Sequence, residues 1–136
     1  VSDRVLRAVQ AEFSCGFCTD AQGAQTIGKT FRENHYLLDT HTAVACTVLD
    51  AYRSGTGDQT LTVVESTASP FKFCASVLDA LGVTEHAPGT GVLGQLTAET
   101  GRPAPKPLAS LAGKPVRFDQ VTDRGDMRAV VTEFLR

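Results

Sequence analysis

Apolar positions recur at helical spacing along most of the chain. Val5, Leu6, Val9 and Phe13 predict a short helix ending near Gly16. Thr19 or Asp20 then caps a second helix, whose apolar residues Ala24, Ile27 and Phe31 keep a 3.6-residue period. Asp39 or Thr40 opens a third, with Val44, Val48, Leu49 and Tyr52 on its inward side and Gly55 just past its end. The pattern changes at Thr60–Val64, a β-branched run after a Gly-Thr-Gly-Asp turn and the clearest strand signal in the chain. Ser69 is an N-cap candidate and Pro70 stands at a first helical position, where a missing N–H costs nothing. Phe71, Cys74, Val77, Leu78 and Leu81 give the next helix its apolar face, and Gly82 closes it. Residues 83–107 are rich in Gly and Pro and are broken by a helix around Val92–Thr100. A single helical turn follows at Pro107–Leu111, then an edge strand at Pro115–Phe118, since proline can only start or border a strand. Asp126–Leu135 closes the chain as a helix with Met127, Val130, Val131 and Phe134 inward. The class is α/β with far more helix than strand, and its small sheet is incomplete.

A length of 136 residues is one domain's worth. The organisation is a single unit: residues 1–82 hold helices, a strand and the turn after it, 83–115 a Gly/Pro-rich connection, and 116–136 the edge strand and last helix. Thirteen basic and fifteen acidic residues are scattered rather than blocked, so no basic stripe marks a nucleic-acid partner and no basic amphipathic helix marks a membrane surface. The apolar runs are a few residues long, far short of the ~20 that span a bilayer. The start lacks the apolar stretch of a signal peptide, which points to the cytoplasm. It begins on Val1 with a helix already under way, and together with the incomplete sheet this predicts a chain cut from a longer one.

Two of the four cysteines form a C-x-x-C pair, Cys15 and Cys18. A structural zinc site needs four Cys or His ligands, usually as two such pairs. Cys46 and Cys74 stand far apart, and no partner cysteines flank the spacing of His35 and His41. A redox dithiol of the thioredoxin kind opens a helix just after a strand, whereas the residues before Cys15 have helical spacing. Cys46 and Cys74 fall on apolar helix faces, as small buried hydrophobes do. No metal site is expected, and the pair reads as a turn that contains two thiols.

Chemistry concentrates after the strand. In open α/β sheets, ligands sit beyond the carboxyl ends of strands, where helix N-termini aim their N–H groups. Ser66, Thr67 and Ser69 place three short hydroxyls at that spot, able to hydrogen-bond a ligand without a formal charge. The same residues could merely cap the helix and satisfy local backbone.

The stretches "HYLLDTHTAVACTVLDAY", "GDQTLTVVESTASPFKFCASVLDALG", "TGRPAPKPLASLAGKPVRF" and "DMRAVVTEFL" resemble, in order, the C-terminal part of bacterial and fungal threonine synthases. The specific pieces are S-T-A-S-P-F-K-F and L-D-T-H-T-A-V. The family commonly has proline where this chain has Thr40 and Cys74, at helix starts where proline is optional. The resemblance implies a pyridoxal 5'-phosphate enzyme of the tryptophan-synthase-β-like fold (fold type II), a carbon–oxygen lyase that converts O-phospho-L-homoserine and water to L-threonine and phosphate. It implies a Ser or Thr hydroxyl facing the pyridine nitrogen, a position matched by Thr67, with Ser69 and Ser66 as further cofactor-side hydroxyls. Lys72 could meet a phosphate or carboxylate, or be a solvated lysine. His41 and Asp39 could face the cleft or lock a helix start, and an Asp before Thr and Ala favours the second. None of Lys29, Lys72, Lys106 and Lys114 sits in the family's cofactor-lysine context, so no catalytic residue is assigned and the isolated chain should be inactive. The implied partners are the N-terminal remainder of the same enzyme, the substrate, and further copies of the chain meeting through exposed apolar surface. The alternative is a stand-alone, non-catalytic module that binds a small anion or a protein.

Overall fold

Local capping sets the two longest helices. In the computed structural model, which describes residues 1–136, Thr19 and Gln22 cap each other's backbone: Gln22 N–H donates to Thr19 Oγ1 at 3.3 Å and Thr19 N–H to Gln22 Oε1 at 2.8 Å. This starts Asp20–Asn34, which follows a first helix, α1, at Asp3–Glu12, and is therefore α2. The chain leaves α2 through His35 in a left-handed conformation, φ 53°. Asp39 caps α3, Thr40–Thr56, which runs one residue past Gly55 and stops where Gly57 supplies a positive φ of 74°.

After an extended passage, Ser69 Oγ accepts the Phe71 N–H and opens a 3-10 turn, Pro70–Lys72. The turn runs into α4, Cys74–Ala80. The remaining helices are α5 (Gly91–Thr100), α6 (Lys106–Ala109, continued as a 3-10 turn to Gly113) and α7 (Met127–Phe134). No helix is long and apolar enough to cross a membrane.

The core lies where α2 packs against α3 and α4, with α5 behind α4. It consists of Ile27, Leu37, Leu38, Ala43, Phe71, Cys74, Val77, Leu78 and Leu96. The approach of α2 to α4 depends on Gly28, because a Cβ there would stand 2.6 Å from the Ala80 carbonyl oxygen. Thr26 and Thr47 bridge α2 and α3 hydroxyl to hydroxyl at 2.7 Å. Arg102, beyond α5, donates to the His35 carbonyl at 2.6 Å and ties the α5 exit to the α2–α3 link.

Two sequence expectations fail on the same physical point. The structure is helix-rich, as the sequence predicts, but it has no strand, so the small sheet expected of an α/β class is not seen. Thr60–Val64 is extended, yet Leu61 is 93% and Val63 86% exposed, and the segment joins no ladder. Its hydrogen bonds to the rest of the chain are with side chains: Arg53 Nη2 donates to Thr60 O at 3.1 Å and Thr62 Oγ1 at 3.2 Å, and Asp58 Oδ1 accepts the Thr60 N–H at 2.9 Å and hydroxyl at 2.6 Å. Pro115–Phe118 is likewise extended and exposed. A strand needs a neighbour for its N–H and C=O groups, and no second strand stands beside either segment.

The expected inward faces of the outer helices are also uncovered. Val5, Leu6, Val9 and Phe13 around α1, and Met127, Val131 and Phe134 of α7, are exposed. In α3, Thr42 and Ala43 are buried and Cys46 packs on the core; of the residues expected inward, Val48 and Leu49 are half-buried and Val44 and Tyr52 are exposed. The accessible surface is 10,675 Å². A compact monomer of this mass would expose ~6,800 Å².

Candidate functional site

The hydroxyl-rich turn is built onto the head of α3. Asp39 is 1% exposed, and its Oδ1 accepts the N–H groups of His41 at 2.9 Å and Thr42 at 3.2 Å. Its Oδ2 accepts the Thr42 hydroxyl in a short hydrogen bond and the Ser66 hydroxyl at 3.3 Å. The Thr42 and Ser66 oxygens are themselves 3.1 Å apart. Burial is the largest single influence on the Asp39 carboxyl and pushes its pKa up. The hydrogen bonds from the Thr42 side chain, the Thr42 and His41 backbone and Ser66 together outweigh it, so the net pKa lies below the ordinary value of 3.8 and the group stays ionised.

Ser66 is therefore committed to Asp39, and Ser69 to the Phe71 backbone. Thr67 stands between them, exposed and outside both arrangements. Lys72 is exposed at the end of the 3-10 turn. The His41 side chain is 67% exposed, with Nδ1 3.6 Å from Asp39 Oδ1 and its ring 5.0 Å from that of Phe73. Of the six candidates, the structure joins Asp39, Ser66 and His41 directly, through Asp39. Thr67 and Ser69 follow by chain connection. Thr42 was missed by sequence reasoning; a threonine three residues after a capping Asp was the available signal.

The cysteines lie elsewhere. Cys15 is exposed, and Cys18, half-buried, precedes the α2 cap. All four thiols are free, and burial pushes the pKa of Cys46 and Cys74 upward. No three His, Cys, Asp or Glu side chains converge. A cleft of about 450 Å³ lies between α2, α3 and α4 and is lined by Cys18, Asp20, Thr40, Phe73 and Asp79 among others. It holds none of the six candidates. A hollow of about 260 Å³ has Ser69 and Arg102 on its wall.

Residues 42–132, which include Thr42, Ser66, Thr67 and Ser69, match the family described as threonine synthase, C-terminal. The chain belongs to that family. Among curated proteins, threonine synthase-like 1 of Mus musculus is 33% identical over 82 residues, covering 60% of this chain and 10% of that protein. Threonine synthase-like 1 of Homo sapiens is 28% identical over 85 residues, covering 62% and 11%. That of Macaca fascicularis is 31% identical over 81 residues, covering 60% and 10%. The chain thus spans about a tenth of the length of these relatives. Asp39, just ahead of the matched residues, is buried and accepts the hydroxyl of Ser66 within them at 3.3 Å.

Proposed function

We propose that this chain forms one wall of the pyridoxal-phosphate site of a threonine synthase, which converts O-phospho-L-homoserine and water to L-threonine and phosphate in the cytoplasm. One observation carries the reading. Within the family match, Ser66 and Ser69 are held by protein groups, and Thr67 between them presents an exposed hydroxyl. That arrangement suits a pyridine nitrogen, which needs one neutral partner in a fixed place. When bound, the cofactor supplies an electron sink for elimination of phosphate and addition of water. The part of Thr67 is to orient the ring by one hydrogen bond. A neutral hydroxyl does not hold the nitrogen protonated as a carboxylate would, which favours elimination and replacement over transamination. Ser69 opens the 3-10 turn beside it and keeps the turn's first N–H satisfied. Lys72 and His41, both exposed at this end, are available to substrate anions.

The lysine that carries the cofactor is supplied by the rest of the enzyme, which is also the partner of this chain. The surface in excess of a compact monomer and the ladderless Thr60–Val64 segment both support that reading. With that partner, Thr60–Val64 becomes a strand of the small sheet. Without it, copies of this chain meet through the same exposed faces.

In the full-length enzyme, Thr67→Ala should lower kcat by ~10- to 100-fold, the loss of one hydrogen bond worth about 1.5–3 kcal/mol. It should also displace the absorbance maximum of the bound cofactor. Wild-type kcat with a wild-type spectrum would end the assignment. The 136-residue chain, incubated with pyridoxal phosphate and reduced with borohydride, should carry no adduct concentrated on one lysine. A single stoichiometric site found by peptide mapping would place the cofactor lysine within this chain instead.

A further inference from the structure

A capping aspartate needs one oxygen, and Asp39 uses two. Oδ1 serves the helix by taking the N–H groups of His41 and Thr42. An ordinary N-cap leaves its second oxygen in water. Here Oδ2 is buried and takes two hydroxyl protons, one from Thr42 on the same helix and one from Ser66, 27 residues further along the chain. The Ser66 oxygen also lies 3.1 Å from that of Thr42, which is 4% exposed. Thr42 has a single proton and spends it on Oδ2, so the protein oxygen that takes the Ser66 proton is the same Oδ2, which is itself shielded from water. The Ser66 side chain is thereby locked, and the backbone that leads into Thr67 is locked with it.

We propose that Asp39 and Thr42 are positioning residues that set the direction in which Thr67 presents its hydroxyl. This rests on the assignment of Thr67 to the cofactor ring. Neither residue touches the ring; both act through Ser66. The helix cap and the site turn share one carboxylate, so the aim of Thr67 is fixed against the axis of α3 rather than by the loop's own conformation.

Asp39→Asn separates the two duties. Asparagine caps a helix as well as aspartate does, so the Oδ1 side survives. The amide NH2 that replaces Oδ2 cannot accept a hydroxyl proton, so Ser66 and Thr42 both lose their shared acceptor and exchange two charge-assisted bonds for weaker neutral ones. In the cofactor-free full-length enzyme, NMR backbone order parameters at residues 66–68 should fall from about 0.85 to below ~0.6, while those within α3 stay near ~0.85. On titration with pyridoxal phosphate, the dissociation constant should rise by ~10-fold and the bound cofactor's absorbance maximum should move. Ser66→Ala should reproduce both effects, and the double variant should be no worse than the worse single one.

Unchanged order parameters at 66–68, or single effects that multiply in the double variant, would overturn the proposal. Thr67→Ala, run alongside, separates the two levels. If it moves the absorbance maximum and Asp39→Asn does not, positioning fails and the cofactor assignment stands. If Thr67→Ala leaves the spectrum untouched, the cofactor assignment fails and positioning falls with it.

Discussion

Leu78→Ala should destabilise the chain by about 3–4 kcal/mol, whereas Leu61→Ala should change stability by less than ~0.5 kcal/mol. The two substitutions remove the same atoms. Leu78 is fully buried in α4 among core side chains from α2, α3 and α5. Its loss forfeits transfer free energy and opens a cavity that close-packed helices cannot fill. Leu61 is in water already. The contrast is large in relative terms, because domains of this size are stable by only about 5–15 kcal/mol, and this chain has only nine buried hydrophobic residues. Urea unfolding followed by circular dichroism checks it through the midpoint shift. Equal shifts for the two variants would mean that the α2–α3–α4 core is not what holds the chain together.

Asp39→Ala should cost about 3 kcal/mol at pH 7, the sum of a lost N-cap and of hydroxyls left without their acceptor. Asp39→Asn should cost less, because the cap remains. The wild-type advantage over both should shrink in acid. The folded-state pKa of Asp39 lies below its ordinary value of 3.8, so near pH 4 the unfolded chain binds more protons than the folded one. The stability contributed by the carboxylate is full above that value and drains away as pH falls through the lower folded pKa. Asp58 has a pKa lowered by the Thr60 hydroxyl and backbone N–H and titrates in the same window. The wild type compared with Asp39→Asn, both with Asp58 intact, isolates the buried group. Urea midpoints of the two at pH 7 and pH 3 should converge. A gap that stays constant with pH would show that the Asp39 charge contributes nothing to folding.

Helix positions were legible because their signals are local. Thr19, Asp39 and Ser69 each announce a start within a few residues, and Phe71, Cys74, Val77 and Leu78 show the buried face by period alone. Strands are not local objects. Thr60–Val64 has the composition of a strand and the extended backbone, but pairing depends on a neighbour that no stretch of this chain provides. The apolar stripes of α1 and α7 are a similar case, since periodicity records that a face is apolar and not what covers it. Helix stops blurred for a related reason: Gly55 and Gly57 both could end α3, and only the φ of 74° at Gly57 decides.

The site was half legible. Thr67 and its neighbours stood out by hydroxyl density and family resemblance, and Asp39 read as a cap. The tie between Asp39 and Ser66 spans 27 residues and leaves no periodic trace. Gly28 is comparable. A glycine in mid-helix costs up to ~1 kcal/mol relative to alanine, which hints that closeness is needed there. Only packing shows that the Ala80 carbonyl is what comes close.

The residues shielded from water all fall between Gly23 and Leu96. Folding cooperativity follows that boundary, because amides open together where they share buried contacts and singly where they do not. The chain therefore melts as one kernel with two independent flanks. Residues 1–18 and 110–136 open at almost no cost, while Phe71 and α4, just beyond Thr67, lie inside the part that opens last.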